Sequence, residues 1–125
     1  MATYRNDARL DRVIDGDTYE MHVDLGYRCE HTIHVRLADV DTHEIYGVKK
    51  ESAEYQAGDA ERDWVTAWFT EGEANYDGDW PFVVTSYEAG KYAGRWIADV
   101  TRTFDGASLA AAVVAEFGDE VAHES

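Results

Sequence analysis

Two stretches, 18–25 and about 30–38, alternate polar and apolar side chains, and no other feature limits the fold as tightly. Over 18–25, Tyr19, Met21, Val23 and Leu25 fall on one side and Glu20, His22 and Asp24 on the other. From about 30 to 38, Ile33, Val35 and Leu37 share one face, with His34 and Arg36 opposite. Side chains of a strand point alternately to its two faces, so a period of two reads as a strand with one buried and one wet side. Gly26-Tyr27 turns the chain between these strands, and Asp15-Gly16-Asp17 turns it out of an earlier one at 8–14. Three strands joined by tight turns make an antiparallel meander.

The pattern then changes to a helical one. Over 52–69, Ala53, Ala57, Ala60, Trp64 and Trp68 recur at helical spacing among Glu, Asp and Arg, which predicts a core-facing stripe. Residues 71–79, with Gly72, Asn75 and Gly78, read as an exposed loop. Strands at 81–87 and 93–101 follow, then the turn Asp105-Gly106. Ser108 stands as N-cap of a last helix to Phe117, with Gly118 as its terminator and a polar tail from Asp119. The expected fold class is α+β, mainly β: an OB-type five-stranded barrel with a helix inserted after the third strand and another at the C-terminus, in one domain.

Charge bears on the setting. The 125 residues carry 26 acids against 11 bases, a formal net charge of -15, and the only lysines are Lys49, Lys50 and Lys91. Such self-repulsion opposes a compact state in dilute salt. At about 1 M salt the Debye length shrinks to about 3 Å and the repulsion is screened. An acidic, lysine-poor chain is therefore expected to be halophilic, working in a salt-rich cytoplasm; the plainer reading is an ordinary acidic domain. The first residues lack a signal-peptide pattern, and the longest apolar run, 109–115, is too short to cross a membrane. Cys29 is the single cysteine, so neither an internal disulfide nor a thiolate cluster is available, and an idle or buried thiol is expected. The expectation is a monomer away from membranes.

The third strand runs into the acids Asp39, Asp41 and Glu44, with Arg36 just upstream. Neighbouring carboxylates repel unless a proton or cation lies between them. Asp17 opens the second strand and Asp41 follows the third; hairpin-joined strands are neighbours, so the two carboxylates could share one hard cation. Oxygen ligands without Cys or His favour Ca²⁺, with Mg²⁺ as the alternative. Glu44 could then act on a water near the ion. No P-loop, G-x-S-x-G or H-E-x-x-H is present, and Asp15-Gly16-Asp17 lacks the later ligands of an EF-hand. That turn is either a plain turn or half of a site completed elsewhere.

Three segments carry a family resemblance: Ile14-Asp15-Gly16-Asp17-Thr18, then 36–44, then Lys91-Tyr92-Ala93-Gly94-Arg95. Together, and in this order, they resemble the thermonuclease (staphylococcal or micrococcal nuclease) family over about 12–118, whose order is I-D-G-D-T, R-L-x-x-V-D-T-P-E and K-Y-G-R on an OB barrel. The resemblance implies a calcium-dependent endonuclease acting on DNA or RNA. Asp17 and Asp41, with the backbone carbonyl of Thr42, would hold the metal. Glu44 would be the general base, and Arg36 and Arg95 would bind the scissile phosphate. Lys91 and Tyr92 would contact the nucleotide, and Tyr46, Tyr92 and Trp96 are candidates for stacking on bases, with a structural role the alternative for each. Arginine suits the phosphate role because its planar fork matches two oxygens at once. The chain departs from the family order at His43, where the family has proline, at Asp39, and at the inserted Ala93. Two other readings stay open at this level: an OB-fold nucleic-acid-binding module without catalysis, and an acidic partner-binding domain.

Overall fold

A computed structural model of the chain describes residues 4–38, 40, 42, 52–89 and 95–118. Asp39, Asp41, His43, Glu44, Tyr46, Lys91, Tyr92 and Ala93 lie outside the described residues.

Five strands close into a barrel in the order β1-β2-β3-β5-β4, accompanied by two helices, an OB-like architecture. The elements are β1 (Tyr4–Asp15), β2 (Thr18–Gly26), β3 (Cys29–Leu37), α1 (Ala53–Ala74), β4 (Phe82–Ala89), β5 (Arg95–Arg102) and α2 (Leu109–Phe117). All neighbours are antiparallel except β3 and β5, which run parallel with His34 opposite Arg95 and Leu37 opposite Ala98. The inward residues are those the alternation marks: Tyr19, Met21, Val23, Ile33, Val35 and Leu37 are all buried.

β1 is longer than the expected 8–14, reaching back to Tyr4. Its first half, Tyr4-Arg5-Asn6-Asp7, is too polar to read as a strand, but Tyr4 to Ala8 pair with Ser86 to Phe82 of β4. The second half pairs with β2, with register shifts between Leu10 and Arg12 and between Val13 and Asp15. One strand thus serves two neighbours, and such irregularities bend it around the barrel.

α1 corrects two expectations. It continues to Ala74, so 71–74 are helix and the loop begins only at Asn75. Its buried positions are Gly58, Glu61, Val65, Trp68, Phe69 and Gly72, whereas Ala53 and Ala60 are exposed. The stripe is rotated from the expected one because aromatic contacts decide it. Phe69 meets Tyr19 at 5.2 Å and Phe82 at 5.0 Å, and Trp68 stacks on Phe82 at 6.0 Å. Gly72 survives inside the helix because a Cβ there would stand 2.6 Å from the Phe82 ring. Ser52 caps α1 by accepting from the Tyr55 N–H, and Ser108 caps α2 likewise from the Ala111 N–H. α2 ends at Gly118, which has a positive φ of 68°.

The β2–β3 hairpin carries backbone strain. Tyr27 and Arg28 hold φ of 55° and 63°, and Tyr27 is fully exposed. Left-handed backbone costs an ordinary L-residue about 1–2 kcal/mol, which is why Asn-Gly dominates such turns. The double substitution Tyr27→Asn with Arg28→Gly is expected to raise stability by about 1–2 kcal/mol. Chemical denaturation midpoints of the two proteins check this; a lower midpoint for the variant would contradict it.

Candidate functional site

The Asp15-Gly16-Asp17 turn sits where β1 ends and β2 begins, beside the end of β3. The Asp17 carbonyl accepts from the Leu37 N–H at 2.8 Å, which clamps the turn to that strand. Below it, the Tyr19 hydroxyl donates to the Gly16 carbonyl. Burial, and then the negative charges of Asp17 and Asp15, push the Tyr19 phenol well above its ordinary value, so it stays a donor. The aromatic core between α1 and the barrel therefore fixes the turn from beneath.

Asp17 is the centre of the site, its side chain only 11% exposed. One carboxylate oxygen accepts from the Thr18 hydroxyl at 3.1 Å. The other accepts from the Thr42 N–H at 2.9 Å and pairs with Arg36 Nη1 at 3.2 Å. The same Arg36 nitrogen donates to the carbonyls of Leu37 at 3.1 Å and Val40 at 2.5 Å, so this guanidinium clasps the chain leaving β3. Gly16 is required by proximity: a Cβ on it would meet Thr42 Cγ2 at 2.7 Å. Gly16→Ala is accordingly expected to cost about 1–3 kcal/mol through overpacking. Thermal melting checks it, and an unchanged midpoint would show that Thr42 yields freely.

Asp15 adds a second carboxylate at the turn, and no role was assigned to it individually from sequence. Its Oδ1 accepts from the Asp17 N–H at 3.1 Å. Burial first, then its hydrogen bond to Asp17 and the Asp17 charge, raise its carboxyl from 3.8 to about 7. The i, i+2 spacing of acids across one glycine is the signal that could have drawn attention to it. Two carboxyls this close hold a proton or a cation between them.

The oxygen-bearing side chains gathered here are those of Asp15, Asp17 and Thr42. Thr42 Oγ1 is buried without a hydrogen-bond partner among the described residues. An ionised carboxylate offers about four lone-pair sites, and Asp17 engages three donors. Asp15, Asp17 and Thr42 would offer a metal oxygen atoms only, the ligand type that Ca²⁺ and Mg²⁺ take. Among the described residues no three His, Cys, Asp or Glu side chains cluster as a metal site, and Asp41 and Glu44 lie outside those residues.

No family model matches the chain, and no curated protein matches it either.

The remaining site residues distribute as follows. Of the expected set, the fold brings together Asp17, Arg36 and Thr42. Arg95 opens β5 opposite His34, and in-register residues of parallel strands share a face. Arg95, His34 and Arg36 hence lie on the barrel's outer face, with Arg95 and Arg36 two residues apart in register. At about 3.3 Å per residue and about 4.8 Å between strands, their backbones are roughly 8 Å apart. His34 bonds Glu20 at 3.2 Å on the same face. Trp96 points the other way, into the barrel mouth. Cys29, expected idle or buried, is a free and exposed thiol. No helix among the described residues is long and apolar enough to cross a membrane.

Proposed function

We propose that the chain is a divalent-cation-dependent nuclease, hydrolysing the phosphodiester bonds of DNA or RNA in the manner of the thermonuclease family that its motifs resemble. One observation carries the reading: Asp17 and Thr42, 25 residues apart in the chain, bond directly beside Arg36 at one end of the barrel. A structural turn does not require a buried carboxylate, an arginine and a buried hydroxyl without a hydrogen-bond partner among the described residues at one point. The motif spacing supports adding Asp41 and Glu44 to the same group.

In this reading Asp17, Asp41 and the Thr42 carbonyl hold Ca²⁺, or Mg²⁺ in its place. The ion supplies positive charge against the phosphate oxygens. Glu44 takes the proton of the attacking water. Arg36 and Arg95 bind the phosphate from the outer face and stabilise the charge that builds on it, a contribution that typically amounts to about 10²–10³ in rate per donor. Phosphate contacts made by an acidic protein weaken steeply as salt rises. Binding then draws on these arginines, the metal and base stacking, with Lys91, Tyr92 and Tyr46 as substrate contacts. The fold is read as an OB barrel with its helix inserted after β3, acting as a monomer in a salty cytoplasm.

A second reading, a nucleic-acid-binding module without catalysis, is favoured by the clasp that Arg36 makes with Leu37, Val40 and Asp17. One assay separates the two. In high salt, DNA should be cut with Ca²⁺ and left intact with EDTA, and Glu44→Gln should slow cutting by about 10²–10⁴-fold. Binding of single strands without cutting would select the module; cutting that ignores Glu44→Gln would remove Glu44 as the base.

A further inference from the structure

The aromatic rings of α1 pack on the barrel at the end where Tyr19 and Phe82 lie, and among the described residues the other end holds a cavity. This cavity of about 290 Å³ is walled by Tyr4, Trp96, Asn6, His31 and Ser86 over a floor that includes Val23 and Ile33. We propose that this barrel mouth binds an uncharged, flat, two-ring heteroaromatic molecule of the purine class. The proposal shares Trp96 with the base-stacking expectation, but it rests on the cavity and not on the metal or the arginines.

Size sets the first bound. An apolar cavity of about 150 Å³ holds one benzene ring, so the mouth has room for two fused rings; barrel mouths are also common ligand sites. Charge sets the second. The chain has 26 acids in 125 residues, yet among the described residues no carboxylate, lysine or arginine lines the cavity. Among the described residues a cationic ligand would lack a counter-charge there, and His31 is the sole lining group that could face an anion. Shape sets the third. The Tyr4 and Trp96 rings stand at 89° with centroids 6.0 Å apart, so a flat ring stacked on one presents its edge to the other.

Polar groups distinguish a heterocycle from a hydrocarbon. Asn6 Nδ2 donates to the Asp24 carbonyl at 3.1 Å, which fixes the amide and leaves its oxygen as the acceptor. Ser86, only 6% exposed, brings a hydroxyl that can donate or accept. His31 adds a third group from β3. A purine edge carries both donors and acceptors and can use all three, while a hydrocarbon would leave them unmatched.

Amide-resolved NMR titration with adenosine tests this, with toluene as a ring that has no hydrogen-bonding edge. Adenosine should move the signals of Asn6, Ser86 and Trp96 saturably below about 1 mM, where a ligand binds with roughly −4 kcal/mol. Toluene should bind at least about tenfold more weakly, and Ser86→Ala should weaken adenosine by about tenfold, one hydrogen bond's worth. Leu25→Glu, at a half-exposed rim position that tolerates change, should place a carboxylate at the mouth and also weaken binding. Toluene binding as tightly as adenosine overturns the proposal, as does an adenosine titration that leaves those signals unmoved. DNA cutting is not read in this experiment, so its failure leaves the nuclease reading where it stands.

Discussion

Asp17→Asn is expected to abolish cation-dependent behaviour while leaving the barrel folded. The substitution keeps the shape, but its single amide oxygen can accept from the Thr18 hydroxyl or from the Thr42 N–H and not from both, because these use different oxygens of Asp17. It removes the charge that faces Arg36 at 3.2 Å. The guanidinium retains the carbonyls of Leu37 and Val40, so the stability cost should stay at about 1–3 kcal/mol. In the wild type, Ca²⁺ at about 100 times its dissociation constant should add about 2.7 kcal/mol of stability. The variant should lose that gain, and cutting should fall by at least about 10²-fold, as loss of a direct ligand exceeds the usual penalty for an outer partner. Melting curves with and without Ca²⁺ read both effects. A variant that still gains stability from Ca²⁺ would remove Asp17 from the ligand set.

The largest loss of stability is expected from Arg102→Leu. Arg102 is 8% exposed at the end of β5 and ties three elements together. It lies over Trp68 at 4.7 Å and Phe104 at 4.9 Å, donates to the Trp68 carbonyl at 3.4 Å, and grips both Asp105 oxygens at 3.2 and 2.6 Å. Leucine replaces part of the packing but none of the hydrogen bonds or the cation–π contact, a loss of about 2–4 kcal/mol. Lysine should rescue little, since a point charge can neither stack nor fork. Burial works to raise the Asp105 carboxyl, but the Arg102 hydrogen bond, the Ala107 N–H and the Arg102 charge outweigh it and hold it below its ordinary 3.8. A depressed acid stabilises the fold above its unfolded value and loses that contribution as pH falls through the folded one. The gap between wild type and Arg102→Leu should therefore be constant near neutrality and narrow as pH drops below 3.8. Denaturation at pH 7 and at pH 3 compares the two; a gap of equal size at both would mean that the Asp105 pair contributes nothing to holding Arg102.

Much of the barrel was legible because its evidence is local. The alternation from Thr18 to Leu37 fixes which side chains point inward whatever the rest of the chain does. The Ser108 cap and the Gly118 terminator bound α2 for the same reason. The candidate site was legible in part: of the residues the motifs pointed to, Asp17, Arg36 and Thr42 do meet. Asp15 was read only as part of the turn, since its distinctive property is burial beside Asp17, which a sequence does not display.

What the sequence alone determined was the face of every strand from 18 to 37 and the pairing of neighbours joined by short turns, because side-chain alternation and turn chemistry act over a few residues. Only the tertiary structure decided the polar first half of β1, the rotation of the α1 stripe and its last turn, and the clasp of Arg36. Each of these depends on a partner far along the chain: β4 for Tyr4 to Ala8, the Phe82 ring for Gly72, Asp17 for Arg36. Propensity weighs only tenths of a kcal/mol per residue, and one aromatic contact or buried ion pair outweighs it.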